Sequence, residues 1–220
     1  MHQKLIVTSG PTREWLDPVR FISNPSTGRM GWSIAHAGLG KFGKIVYISG
    51  PGSEAFRTVA GAENYSVDST QEMLEQVLAT LEPNSTLIMA AAPADYAPIH
   101  PVGSKIKKDP SHNLTVEFKP TPDILMEVAK RPPSGLLRVA FAAETDNLRE
   151  NARIKMQKKD VDFICANEVF KDGKGFATEG GSLLILDRAG NETRLGPAPK
   201  DALGESLIDF LIKQNSVVRA

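Results

Sequence analysis

The stretch Ser26-Thr27-Gly28-Arg29-Met30-Gly31 offers two hydroxyls, two glycines and a helical pattern behind them. That is the make-up of an anion cradle, because free N–H groups and the helix dipole both favour phosphate. The same residues also suit an ordinary Ser/Thr cap, with Gly31 allowing close helix packing. Lys155 and Lys159 share one helical face with Leu148 and Ala152, so the stripe turns from apolar to cationic along its length. Two ammonium groups one turn apart repel unless an anion or solvent lies between them. A triphosphate would satisfy them, and so would water around two snorkelling side chains. Lys105, Lys107 and Lys108 stand in a Pro- and Gly-containing excursion. They are either a solvated charge run or a lid that closes cations over phosphates. His2, His36, His100 and His112 lack metal-ligand spacing, so a metal held by the protein alone is not expected. Cys165 sits in an apolar run and reads as core. No nucleophile elbow and no Walker A sequence occurs.

The elements that must position these groups alternate. Leu5–Val7, Ile45–Ile48, Leu87–Ala90, Val139–Phe141 and Phe163–Cys165 read as short buried strands. Asn64–Val67 reads as a further strand. Helical patterns cover Gly28–Phe42, Thr70–Leu81, Pro122–Lys130 and Asn147–Lys159, the third with Thr121 as its cap and Pro122 at its first position. This alternation predicts an α/β fold with a parallel sheet covered on both faces. Leu114–Phe118 alternates and predicts an exposed strand beside the excursion. Ser182–Leu186 and Glu192–Leu195 predict a hairpin, and Asp201–Gln214 a closing helix with Leu203, Leu207 and Leu211 on one stripe. The first strand is not followed directly by its helix, because a polar detour from Gly10 to Thr27 intervenes. A loop of that length in a compact domain is usually functional or else hides further elements that local pattern does not assign. Ligands of such sheets bind beyond the carboxyl ends of the strands. There the sequence has Ser9–Thr12, Ser49–Gly52, Ala91–Asp95, Ala142–Thr145 and Ala166-Asn167. Ser49–Gly52 lacks the acid that would hold an adenosine ribose, which counts against a nicotinamide-dinucleotide enzyme. The turn either admits phosphate or is only a turn.

Acidic and basic residues balance at 26 each. No net field therefore favours nucleic acid or an anionic membrane. The lone cysteine excludes an intrachain disulfide and fits a cytoplasmic home. The N-terminal run lacks the apolar core of a signal peptide, and no apolar run approaches the ~20 residues of a membrane span.

The segments "TSGPTREWLDPVRFISNPSTGRMG", "AAAPADY", "SKIKK", "FAAETDN" and "FICANE" occur in the order and at about the spacing of phosphopantothenoylcysteine synthetase, and the chain resembles the bacterial form of that family over nearly its whole length. The resemblance implies a Rossmann-like three-layer α/β domain spanning residues 1–220, with a mainly parallel sheet, a flap at about 97–112 and a C-terminal hairpin. It implies a CTP-dependent ligase of coenzyme A biosynthesis that joins 4′-phosphopantothenate to L-cysteine through an acyl-cytidylate. Mg²⁺ would ride on CTP, and no flavin is expected on this chain. It also implies a homodimer. The chain lacks room for the decarboxylase that often precedes this domain, so it is expected to be stand-alone or one half of a bifunctional protein. A short-chain NAD(P) oxidoreductase and a nucleotide-binding regulatory subunit are the alternatives.

Residue by residue, Asn24, Arg20 and Lys105 match catalytic positions. Arg20, Asn24 and Ala91 match contacts to the acyl substrate, where the Asn24 amide would donate to the developing oxyanion. The nucleotide is expected at Met89, Ala90, Ala91, Asp95, Lys105, Lys119, Pro120, Thr121, Pro122, Phe141, Lys155 and Lys159, with Ser26, Gly28 and Gly31 as the cradle. The chain departs from the family pattern at Pro25, Arg29 and Pro93, in "KPTPDIL", and in "ATEGGS" after Phe176. The choice between CTP and ATP is left open.

Overall fold

The computed structural model describes residues 4–144, 147–168 and 180–218. Its strands are β1 (Lys4–Ser9), β2 (Glu14–Trp15), β3 (Phe21–Ile22), β4 (Lys44–Ser49), β5 (Glu63–Ser66), β6 (Ser85–Met89), β7 (Tyr96–Pro98), β8 (Phe118–Pro120), β9 (Leu137–Glu144), β10 (Phe163–Glu168), β11 (Gly180–Asp187) and β12 (Glu192–Pro199). Its helices are α1 (Arg29–Gly38), α2 (Thr70–Thr80), α3 (Ile124–Lys130), α4 (Leu148–Lys159) and α5 (Lys200–Val218).

Eight strands form one sheet in the order β12-β11-β10-β9-β6-β1-β4-β5. Six of them run parallel, and the β11–β12 hairpin adds antiparallel to β10. The hairpin removes the open edge beside β10, while the chain continues into α5. Every residue of β1 is buried, as a central strand covered on both faces requires. Leu5 and Val7 point into a core shared with α1 and α5, including Ile34, Leu207 and Leu211. Ile6 points the other way, into a core with Met73, Val77, Ile124, Ala152 and Met156. The period of two along the strand thus divides one run of apolar residues between two layers. Among the described residues, no helix is long and apolar enough to cross a membrane.

The strand order reverses beside β1, since the chain leaves it for β4 on one side and returns to β6 on the other. That switch opens a crevice at the carboxyl edge of the sheet. Past their ends β1 and β6 stay in register: Pro11 bridges Ala92, and the Ala92 N–H donates to the Gly10 carbonyl at 2.9 Å. The Gly10–Thr27 detour rests on this ledge. It is no featureless loop, since β2 and β3 make a small antiparallel hairpin within it.

Three local expectations are corrected. Helix α3 is capped by Asp123, whose carboxylate accepts from the Met126 N–H at 3.3 Å, so Thr121 is not the cap and Pro122 lies outside the helix. A carboxylate at this end also meets the helix dipole. The Thr121 hydroxyl instead donates to the Ala94 carbonyl at 2.6 Å. Of Leu114–Phe118 only Phe118 is in a strand. Its partner β7 offers three residues, and beyond them only the Ile99 N–H reaches back, to the Glu117 carbonyl. The connection from 99 to 117, which contains most of the expected flap, thus carries no helix or strand. Finally, α1 ends at Gly38, short of Phe42.

Candidate functional site

The crevice contains a cavity of about 420 Å³. Its floor lies at the carboxyl ends of three strands: Ala90–Ala92 just after β6, Phe141–Ala143 in β9 and Ala166-Asn167 in β10. Small side chains predominate, so a ligand can approach the backbone closely. One wall is Ser26–Gly31 at the start of α1. The opposite wall comes from the hairpin and from the start of α5.

Gly28 and Gly31 fix the first wall. Gly28 sits before α1 with φ 84° and ψ −4°, a left-handed conformation that glycine adopts without strain. The Ser9 hydroxyl at the end of β1 donates to its carbonyl at 2.7 Å. A Cβ on Gly31 would stand 2.6 Å from Ser9 Cβ. Close packing of α1 on β1 thus requires a glycine at 31, while the helix start faces the cavity. The hydroxyls do not cap α1 in the expected way. Ser26 and Thr27 accept from the Gly28 and Arg29 N–H groups at 3.3 and 3.4 Å, and neither is the residue that begins the helix.

Three cations line the cavity: Arg29 from α1, Arg194 from β12 and Lys200 from α5. No carboxylate is among the described lining residues. Asp201 stands behind Arg29 at 3.6 Å and accepts from the Ser33 hydroxyl. Burial, and then the positive charge of Arg29, pull the Lys200 ammonium below its ordinary value. An anion between them would relieve both costs.

Six of the expected nucleotide residues meet in this cavity: Ser26, Gly28, Gly31, Ala90, Ala91 and Phe141. Met89 lies beneath them and is buried. Others gather along the next stretch of chain. The Thr121 N–H donates to the Asp95 carbonyl at 2.9 Å, which joins the segment Lys119, Pro120, Thr121, Pro122 to Ala94-Asp95. Lys159 reaches the same segment through an ion pair with Asp123 at 3.1 Å. Its charge is therefore already met by a carboxylate, and neither it nor Lys155 lines the cavity. Asn24 lies over the ledge, and its amide donates to the Ala92 and Pro93 carbonyls at 3.2 and 2.9 Å. Arg20 donates to the Ile106 carbonyl, beside Lys105 on the flap.

Sequence reasoning missed Arg194 and Lys200, which come from the hairpin and the closing helix. A signal existed for one of them. A cation at the first position of a helix opposes the dipole, and Lys200 occupies that position in α5. The Ser49–Gly52 turn proves to be packing. The Ser49 hydroxyl donates to the Arg57 carbonyl, and the Ser53 N–H to the Thr27 carbonyl. A Cβ on Gly50 would collide with the Pro11 carbonyl. Burial pushes the Cys165 thiol well above its ordinary range, as suits a core residue rather than a nucleophile. Among the described residues, no group of three His, Cys, Asp or Glu side chains is placed to hold a metal ion. Thr145 and Asp146 of the "FAAETDN" segment lie outside the described residues, as do Phe176 and the start of "ATEGGS".

The chain is similar to known proteins over most of its length. The chain is 36% identical over 213 residues to the coenzyme A biosynthesis bifunctional protein CoaBC of Escherichia coli, covering 96% of the chain and 52% of that protein. It is 37% identical over 191 residues to the Bacillus subtilis protein of the same name, covering 87% and 46%. The chain thus spans about half the length of these relatives. The crystal structure of the C-terminal domain of a CoaBC protein superposes with a TM-score of 0.78 at 27% identity, covering 97% of this chain and 96% of that one. The flavoprotein of DNA/pantothenate metabolism from Streptococcus pneumoniae shares the fold, with a TM-score of 0.80 at 20% identity over 96% of this chain and 99% of that one. The model of the DNA/pantothenate metabolism flavoprotein C-terminal domain matches residues 1–214, and the chain belongs to that family.

Proposed function

We propose that this domain is a phosphopantothenate–cysteine ligase of coenzyme A biosynthesis. The observation that carries the reading is the cavity at the carboxyl edge of the sheet, walled by a helix start and three cations and floored by small residues. Such a cavity suits phosphorylated reactants. A carboxylate resists amide formation because its oxygen leaves poorly. The acid of 4′-phosphopantothenate attacks the α-phosphorus of CTP, forming an acyl-cytidylate and releasing pyrophosphate. The amine of L-cysteine then attacks the acyl carbon and releases CMP and a proton. The protein holds the reactants and stabilises charge, forming no covalent bond of its own.

Ser26, Gly28, Gly31, Met89, Ala90, Ala91 and Phe141 border the nucleotide in this reading, with Asp95, Lys119–Pro122, Lys155 and Lys159 along its length. Lys105 approaches from the flap. Mg²⁺ travels with the triphosphate rather than on a protein cluster. Asn24 stands at the acyl carbon, exchanging one of its carbonyl partners for the developing oxyanion, with Arg20 beside it. The unit is one domain over 1–220. Two copies form a homodimer through the exposed apolar residues of the detour and of β7, where Val19 and Tyr96 are 55% and 56% exposed.

The test is pyrophosphate release from 4′-phosphopantothenate with each of the four nucleotides, with and without cysteine. Release before cysteine is added, fastest with CTP, is expected. No release with any nucleotide defeats the reading. Asn24→Ala should slow the turnover by about 10²–10³-fold, the usual effect of removing one oxyanion donor. An unchanged rate takes the amide out of the chemistry.

A further inference from the structure

The hairpin of the detour carries a buried carboxylate that the proposed chemistry leaves unused. Asp17 is only 2% exposed. One of its oxygens accepts the N–H groups of Val19 and Arg20, both at 2.8 Å, and so closes the turn between β2 and β3. The other oxygen faces the flap and accepts the Ile106 N–H at 3.1 Å. Arg20 completes the contact: its guanidinium donates to the Ile106 carbonyl at 2.5 Å and lies 3.5 Å from the Asp17 carboxylate. Both backbone polar groups of one flap residue are thus held by side chains of one turn. A further tie joins the Val102 N–H to the Leu16 carbonyl at 3.0 Å.

Apolar packing at this junction is incomplete. A cavity of about 440 Å³ lies between flap and hairpin, lined by Leu16, Pro98, Val102, Ile106, Leu114 and Val116 among others. Loose apolar contact fixes no register along the chain, whereas a donor and an acceptor taken from a single residue do. Burial opposes ionisation of Asp17, but the three N–H groups and the guanidinium outweigh it and hold the carboxyl below its ordinary value. The group is therefore an anion at neutral pH. An amide in its place would turn an NH₂ toward one of the donors.

We infer that Asp17, acting with Arg20, is a positioning residue that seats the flap at Ile106 and so sets the position of its neighbour Lys105. This rests on the reading of Lys105 given above. Arg20 then serves the reaction through the flap as well as through any contact with the acyl substrate.

Two variants test the seat. Asp17→Asn spoils the acceptor, and Ile106→Pro deletes the donated N–H while leaving the turn intact. Limited trypsin digestion reads the flap directly, through cleavage after Lys107 or Lys108. Both variants should be cut about tenfold faster or more than the parent chain. Pyrophosphate release should fall by a similar factor in kcat. Lys105→Ala should cost little more in the Asp17→Asn background, since the lysine is already displaced. An unchanged cleavage rate overturns the seat. A full additional loss from Lys105→Ala in that background overturns the positioning role. If the parent chain releases no pyrophosphate, the ligase reading fails separately, and cleavage alone judges the seat.

Discussion

Arg29 and Lys200 both begin a helix, where the dipole disfavours a cation, and both line the same cavity. Two such placements facing one space suit an anionic ligand there, beside the Asp201 carboxylate that already meets Arg29. Lys200→Met should raise the KM for one phosphorylated substrate about 10–100-fold, since a hydrogen bond to a charged group contributes ~1.5–3 kcal/mol. The substrate whose KM moves identifies the phosphoryl group held there. Steady-state kinetics with each substrate varied in turn checks this, and an unchanged set of KM values removes Lys200 from the site. Because its pKa lies below the ordinary 10.5, Lys200 loses its proton earlier than an exposed lysine as pH rises. Anion affinity should fall across that alkaline window. In the unfolded chain the proton is kept to higher pH, so the unliganded fold gains stability over the same range. Titration calorimetry with pyrophosphate at increasing pH reads the first effect, and Lys200→Met should flatten it. In the sequence, Arg29 stood out only as a departure from the family pattern. Lys200 carried one sequence signal, a cation at a helix start, but its place in the cavity was not legible, because the cavity forms only when α5 packs beside α1.

At the scale of the element, α3 shows how one side chain serves two ends. Asp123 caps the helix and pairs with Lys159 of α4, tying the two elements together. Asp123→Ala should cost about 0.5–2 kcal/mol through the cap alone. For a chain of this length, each 1 kcal/mol lowers the melting temperature by about 2–4 °C. Differential scanning calorimetry checks the shift, and no shift means that the cap is dispensable. The Thr121–Pro122–Asp123 sequence permits two helix starts, and local preference favoured the earlier one. The tertiary structure takes the Thr121 hydroxyl for the Ala94 carbonyl, so Asp123 is left to cap. The lysine stripe of α4 was read correctly as one face, with Ala152 buried and Lys155 and Lys159 half-buried. Which anion meets it was not readable, because Asp123 lies far away in sequence.

For the whole molecule, the hairpin β2–β3 packs beside β7, and Val19, Phe21, Ile22, Tyr96, Ile99 and Val102 on these elements and the chain after them are each exposed. Exposed apolar residues concentrated on these neighbouring elements fit the pairing surface proposed above. On the proposal that two copies pair through these residues, Phe21→Glu should leave a monomer in analytical ultracentrifugation, with little loss of secondary structure. A monomeric parent chain would refute the assembly. The sequence by itself determined the central strands, the helices between them and the closing hairpin. Each is set by local periodicity and turn chemistry, and buried parallel strands announce themselves as unbroken apolar runs. It also pointed to the sheet edge where the cavity lies, because ligands gather beyond strand ends whatever the details of the fold. Only the tertiary structure decided which residues share the cavity. Lys200 lies 171 residues from Arg29 in the chain, and a pairing over that distance has no local signature. It likewise decided that Asp17 grips Ile106, since a carboxylate chooses its donors only after folding has excluded water from around it.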